Sequence, residues 1–197
     1  MTPPRLFDRK LHLQRRRRAA AGGDWPDFLL RRASEDIADR LQAVERPFSR
    51  ILNLGAHDGT LSQAVARALP KPALIVNMEA SAPLLARCAG PKVRADEELL
   101  PFRDGAFDLI VSALSLQFVN DLPGALVQIR RALKPDGLFL GAVLGGATLG
   151  ELREAFMQAE MECEGGVSPR VAPMADIRDF GALLQRAGFA LPVADAD

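Results

Sequence analysis

Ile51-Leu52-Asn53-Leu54-Gly55-Ala56-His57-Asp58-Gly59-Thr60-Leu61 decides how the rest of the chain is read. An apolar run, Ile51 to Leu54, meets Gly55, and Leu61, Val65, Ala68 and Leu69 follow at helical spacing, so the order is strand, glycine turn, helix. The order recurs downstream, where residues 74–78 precede a helix-like 81–89 and residues 107–112 precede 122–133. Each strand is a near-continuous apolar run, as parallel strands covered on both faces require, and the crossover helices are present. The fold class is therefore α/β, a Rossmann-like, doubly wound, mainly parallel sheet flanked by helices.

Outward from this centre, Phe28, Leu29, Ile37, Leu41 and Val44 mark an amphipathic helix that closes before Pro47. Asn120-Asp121 with Pro123 opens the helix 122–133, and Pro135-Asp136-Gly137 turns the chain into a fifth strand, 138–143. Thr148 and Glu151 predict a capping box for a helix over 149–161. Residues 175–187 predict another, stopped by Gly188, and Phe189 to Val193 reads as a last short strand. Phe156 and Phe180 read as core, and Met157 and Met161 share one helix face.

With 197 residues, 48% hydrophobic and 25% charged, the composition is that of one ordinary globular core. No apolar run approaches the roughly 18 residues that a membrane span needs. Cys88 and Cys163, with His12 and His57, are too few and too scattered for a zinc ribbon, a disulfide framework or a transition-metal site, so no metal is expected. Cys88 reads as a buried, inert thiol in a reducing, cytoplasmic setting.

The net charge is zero, but the first eighteen residues hold seven basic side chains against Asp8 alone, leaving a +6 arm on a −6 body. The expected organisation is a basic arm, 1–23, ending in the hinge Ala19-Ala20-Ala21-Gly22-Gly23, and one domain, 24–197. The arm reads as a solvated tail, a dock for an acidic protein or, least favoured because no aromatic interrupts its basic run, a nucleic-acid contact.

Ligands of open parallel sheets sit at the carboxyl ends of the strands. There Gly55 allows a positive φ and Gly59 lets the next helix start close to a ligand. Glu79, ending the second strand, suits the two hydroxyls of a ribose, and Asp96, just past the third, suits an adenine amino group. G-x-G-x-x-G is incomplete, with Ala56, His57 and Thr60 in its way, so a dinucleotide cradle is not made. On residues alone, two readings stand: an adenosine site, or a plain turn with Glu79 capping the helix near Ser81.

The glycine turn, the acid after strand two, Asp96 with Leu100-Pro101-Phe102, Phe107-Asp108-Leu109-Ile110-Val111-Ser112 and Leu133-Lys134-Pro135-Asp136-Gly137 resemble, as an ordered set over about residues 50–145, the class I S-adenosylmethionine-dependent methyltransferases. The resemblance implies S-adenosyl-L-methionine as cofactor, held by Asn53, Gly55, Ala56, Gly59, Glu79, Asp96, Glu97, Ser112 and Leu114. Gln117 and His57 are the candidates for catalysis. Two departures stand out, since the family pattern has an acid where Asn53 stands and a glycine where His57 stands.

Leu6-Phe7-Asp8-Arg9, Ser115-Leu116-Gln117-Phe118-Val119-Asn120-Asp121, Leu144-Gly145-Gly146 to Arg153, Glu164-Gly165-Gly166 to Pro169 and Leu184 to Phe189 extend the resemblance. With them the chain is similar, over nearly its whole length, to the methyltransferase-like assembly factors of respiratory complex I and their alphaproteobacterial relatives. This implies a complex I subunit or another protein as substrate, in the bacterial cytoplasm or, for a eukaryotic member, the mitochondrial matrix; it also implies arginine hydroxylation as an activity. Those relatives continue past the position of Asp197 with a further antiparallel strand, which predicts a fold truncated at its C-terminal end and an exposed sheet edge open to self-association. Three functions follow: a methyltransferase, a degenerate methyltransferase fold serving as a non-catalytic binding or assembly protein, and a protein-arginine hydroxylase.

Overall fold

The computed structural model describes residues 5–22, 26–71 and 73–196. Five parallel strands, β1 (Arg50–Leu54), β2 (Leu74–Met78), β3 (Lys92–Val93), β4 (Phe107–Ala113) and β5 (Leu133–Ala142), lie in the order β3-β2-β1-β4-β5. The chain builds outward from β1 to β3 and then crosses to β4, so the order reverses between β1 and β4. A crevice therefore opens at their carboxyl ends.

Alternation along each strand sorts the core into two layers. Leu52, Leu54, Met78 and Ile110 pack with Leu126 and Ile129 of α5 (Leu122–Ala132) and Leu184 of α7 (Ile177–Arg186). Ile51, Leu109 and Val111 pack with Ile37 and Leu41 of α2 (Phe28–Gln42) and with Leu61 and Val65 of α3 (Thr60–Ala68). Each of these fully buried aliphatic side chains contributes about 2 kcal/mol, which is why β1 and β4, covered on both sides, form the rigid spine. Asp108 fastens its base: its carboxylate accepts the Arg50 N–H at 2.6 Å, the Ser49 hydroxyl at 2.9 Å and the Lys134 ammonium at 2.8 Å. Burial would raise its pKa, but these partners hold it down at about 2.

Several local expectations are corrected. Among the described residues Phe189 to Val193 makes no strand; Leu191 and Val193 are exposed, since no neighbouring strand offers them a pairing edge. Thr148 does not cap α6 (Gly150–Glu164). Its N–H closes a turn on the Gly145 carbonyl, and Leu149, at φ 55°, takes the cap position with no side-chain bond. Phe156 is 43% exposed rather than core, whereas Phe180 packs against the α5 layer.

The basic arm is the largest departure. Asp8 accepts the Leu11 N–H and starts a helix, α1 (Arg9–Ala21), that consumes Ala19 to Ala21 of the expected hinge; Gly22 is its C-cap. Gly23, and the expected arm–domain boundary beside it, lie outside the described residues. α1 lies against the body: Arg87 of α4 (Ala82–Arg87) donates to the Ala20 carbonyl at 2.6 Å, and the His12 ring stacks 4.7 Å from that of Phe118.

Candidate functional site

The β1 turn is shaped by what touches it. Gly55 has φ 67°, and a Cβ there would lie 2.1 Å from the Ser115 hydroxyl, so only glycine lets the loop after β4 close against the loop after β1. Gly59, at φ 92°, starts α3 with its α-carbon turned to Cys88, which a Cβ would meet at 3.1 Å. Ala56 packs with Leu85 and Cys88. Burial pushes the Cys88 thiol up to about 11, as expected for an inert buried cysteine.

Four acids gather at this edge. Glu79 follows β2 and is fully buried; its Oε1 accepts the Ser81 N–H at 2.8 Å, and its Oε2 accepts the His57 N–H at 3.0 Å. Asp96, Glu97 and Glu98 follow β3. Glu97 accepts the Ser115 hydroxyl at 2.8 Å, while Glu98 accepts the backbone N–H of Asn120 at 2.7 Å. The loops after β1, β2, β3 and β4 thus meet at one place, and the predicted Gly55, Glu79, Asp96 and Glu97 are brought together there.

The donors that complete these acids come from α1. Arg16 donates to Glu79 Oε2 at 2.8 Å and to His57 Nδ1 at 2.9 Å. Arg9 donates to Asp96 at 2.7 Å and to Glu97. Residues 9 and 16 are two helical turns apart on one face, with His12 and the buried Ala20 on the same stripe. Composition and apolar periodicity did not reveal these two arginines; their seven-residue spacing in the arm was the available signal.

A guanidinium has donors only, so His57 Nδ1 must accept, leaving the proton on Nε2, which lies 3.1 Å from the Ala113 carbonyl. His57 is therefore neutral, and burial together with the Arg16 charge lowers its pKa to about 4. Burial raises the Glu79 pKa, against the pull of Arg16 and the Ser81 N–H.

Asn53 lies under the turn, its amide donating to Ser62 at 2.7 Å and to Asn77 at 3.1 Å. It ties β1 to β2 and α3, away from the four acids' own bonds. Its Oδ1 is buried without a partner, as are the Ser112, Ser81 and Gln117 oxygens. Leu114 turns the chain at φ 52° and accepts the Gln117 amide at 2.9 Å. The motif around Phe7 meets the motif around Gln117: Asn120 Oδ1 accepts the Phe7 N–H at 2.8 Å, and the Phe7 and Phe118 rings lie edge to face at 5.8 Å. Neither of two surface cavities touches the acids. One, of about 490 Å³, is lined by Gly146, Arg153, Phe156, Met157, Val167 and others after β5; the other lies between α2 and α3. Among the described residues no three His, Cys, Asp or Glu gather to hold a metal ion, and no helix is long and apolar enough to cross a membrane.

Residues 52–141 match the family model described as a methyltransferase domain. The chain is 40% identical over its full length to mouse "Arginine-hydroxylase NDUFAF5, mitochondrial", of which it covers 60%. It is 31% identical over 98% of its length to the "Malonyl-[acyl-carrier protein] O-methyltransferase" of Gallionella capsiferriformans, covering 69% of that protein. A crystal structure of an S-adenosylmethionine-dependent methyltransferase from Mesorhizobium loti superposes with a TM-score of 0.60 at 21% identity, over 80% of this chain and 82% of that one. The chain spans about three fifths of the length of the mouse relative. With parallel strands in this order, a glycine turn at the first strand's tip and these likenesses over the whole sequence, the chain belongs to the class I S-adenosylmethionine-dependent methyltransferase family.

Proposed function

We propose that this chain is an S-adenosylmethionine-dependent methyltransferase-like protein that acts on a protein substrate in the maturation of respiratory complex I. Its setting would be the bacterial cytoplasm or, for a eukaryotic member, the mitochondrial matrix. One observation carries the reading: the acceptors Glu79 and Glu97, from two successive strand tips, border the Gly55 turn, and Arg9 links Glu97 to the neighbouring Asp96. Besides backbone N–H groups and the Ser115 hydroxyl, they hold the N–H groups of Arg9 and Arg16, and the hydroxyls and amino group of an adenosine are donors of the same kind, so the donor chemistry fits.

S-adenosylmethionine, when bound, supplies an activated methyl group on a sulfonium. Glu79 would hold the ribose hydroxyls and Asp96 the adenine amino group. Gly55 keeps the β1 turn tight enough for Ser115 to brace Glu97. Gln117, with an unpartnered oxygen in the short turn 116–118 after β4, would orient the acceptor; methyl transfer needs chiefly alignment and a dry site, so a strong base is not required. Calorimetric titration with S-adenosylhomocysteine tests this reading. Micromolar binding, weakened roughly tenfold or more in Glu79→Gln, supports it, and absence of heat up to millimolar ligand defeats it.

A second reading is a non-catalytic binding or assembly protein of the same fold. It is favoured by the arginines that already complete the acids, by His57 in the turn and by Asn53 where the family has an acid. Arginine hydroxylation, the activity in the mouse relative's name, would turn a C–H of an arginine into C–OH with one atom of O2, the other leaving as water at the expense of a two-electron reductant, and so add the mass of one oxygen atom to a complex I subunit incubated with the protein, cell extract as electron source and air.

A further inference from the structure

We propose that α1 is a latch on the nucleoside site, its Arg9 and Arg16 taking the carboxylate positions that a nucleoside needs, so that ligand and helix compete for Glu79, Asp96 and Glu97. The inference rests on the cofactor reading above. Its basis is the count of acceptor positions. Oε2 of the fully buried Glu79 already receives two N–H groups and Oε1 one, while Asp96 Oδ1 receives Arg9 and the Glu98 N–H. A carboxylate offers about four acceptor positions, so with three taken Glu79 cannot receive both hydroxyls of a ribose while Arg16 stays, and an adenine amino group at Asp96 meets an Oδ1 that Arg9 and the Glu98 N–H already fill.

The helix is also held in a way that permits release. Ala20 is its sole buried side chain, so little apolar surface opposes its departure, and the ion pairs decide when it leaves. The pairs themselves are strong where they sit, with the Arg9 and Arg16 side chains only 17% and 11% exposed and Glu79 and Glu97 at 0% and 2%. Removing a guanidinium without replacing it leaves a buried acid unpaired, so the latch stays closed until another set of donors arrives. Release of Arg16 has a second effect: it frees the Nδ1 lone pair of His57, which the guanidinium otherwise occupies.

The test uses the full chain and its Arg16→Gln, Arg9→Gln and Arg16→Lys forms, each checked for folding by circular dichroism. S-adenosylhomocysteine binding is read by calorimetry, and helix release by amide hydrogen exchange over residues 9–21. The expected result is binding about tenfold tighter in at least one glutamine variant, with Arg16→Lys closer to the parent. Ligand added to the parent should also speed exchange over 9–21. Equal or weaker binding in both glutamine variants makes the arginines bystanders or part of the cradle, and overturns the latch while leaving the cofactor reading intact. Exchange over 9–21 that does not respond to bound ligand overturns it as well. If no form binds the ligand, the cofactor reading itself fails and the competition falls with it, even where the variants loosen α1.

Discussion

The acid site under α1 and the cavity after β5 lie at the same, carboxyl end of the sheet and are built in opposite ways. In the first, the buried carboxylates are paired with guanidinium and backbone N–H groups. In the second, about 490 Å³ stays open beside α6, whose only buried side chain is Glu160, tied to the Ser168 N–H and hydroxyl and to Arg170. Apolar side chains there, such as Phe156 and Met157, remain over 40% exposed. Polar pairing specifies geometry because each unpaired buried group is costly, whereas an apolar surface with nothing against it specifies none.

The contrast can be broken by substitution, and the largest effects fall in the acid site. Glu79→Ala leaves the Arg16 guanidinium and two backbone N–H groups without an acceptor and should lower the unfolding free energy by about 3 kcal/mol in urea titration. A loss below about 1 kcal/mol would mean that α1 repacks freely. Gly55→Ala forces a side chain onto a left-handed backbone against Ser115, for an expected loss of about 2–3 kcal/mol, part of it recovered in a Gly55→Ala, Ser115→Gly double variant. Asp108→Ala, away from both regions, should cost about 2 kcal/mol through its lost charged hydrogen bonds to the start of β1 and to Lys134.

Acid sharpens the same comparison. His57 and His12 both fall to about 4 in the folded protein, chiefly through burial, so the unfolded chain takes up protons first as pH drops below about 6.5. Stability should decline between pH 6.5 and 4, seen as a falling melting temperature, and His57→Gln should flatten that decline. Glu79 works the other way, since its raised pKa withdraws stability as pH rises through the folded value. The smallest effect is expected in the open cavity, where Phe156→Ser should change stability by no more than about 0.5 kcal/mol.

Much of the architecture was legible because it is written in local pattern. Apolar runs ending at Gly55 and Glu79 marked strands whose tips face one crevice, and Asp121 and Gly188 bounded helices where the structure bounds them. Two local signals misled. Thr148 and Glu151 have capping-box spacing, yet the turn closed by Gly145 uses the Thr148 N–H, and Phe189 to Val193 has strand composition without a partner strand. The arm misled more deeply. Its face is basic rather than apolar, so no hydrophobic stripe announced that it would pack.

By itself, then, the order of residues determined the succession of strands and helices, the glycine turn and the acids at its rim, because each depends on backbone preference and burial within a dozen neighbours. The tertiary structure alone decided what those acids hold. Arg16 reaches Glu79 across 63 positions and Arg9 reaches Asp96 across 87, and such pairs form only when folding has closed the loop between them and drawn both charges out of water.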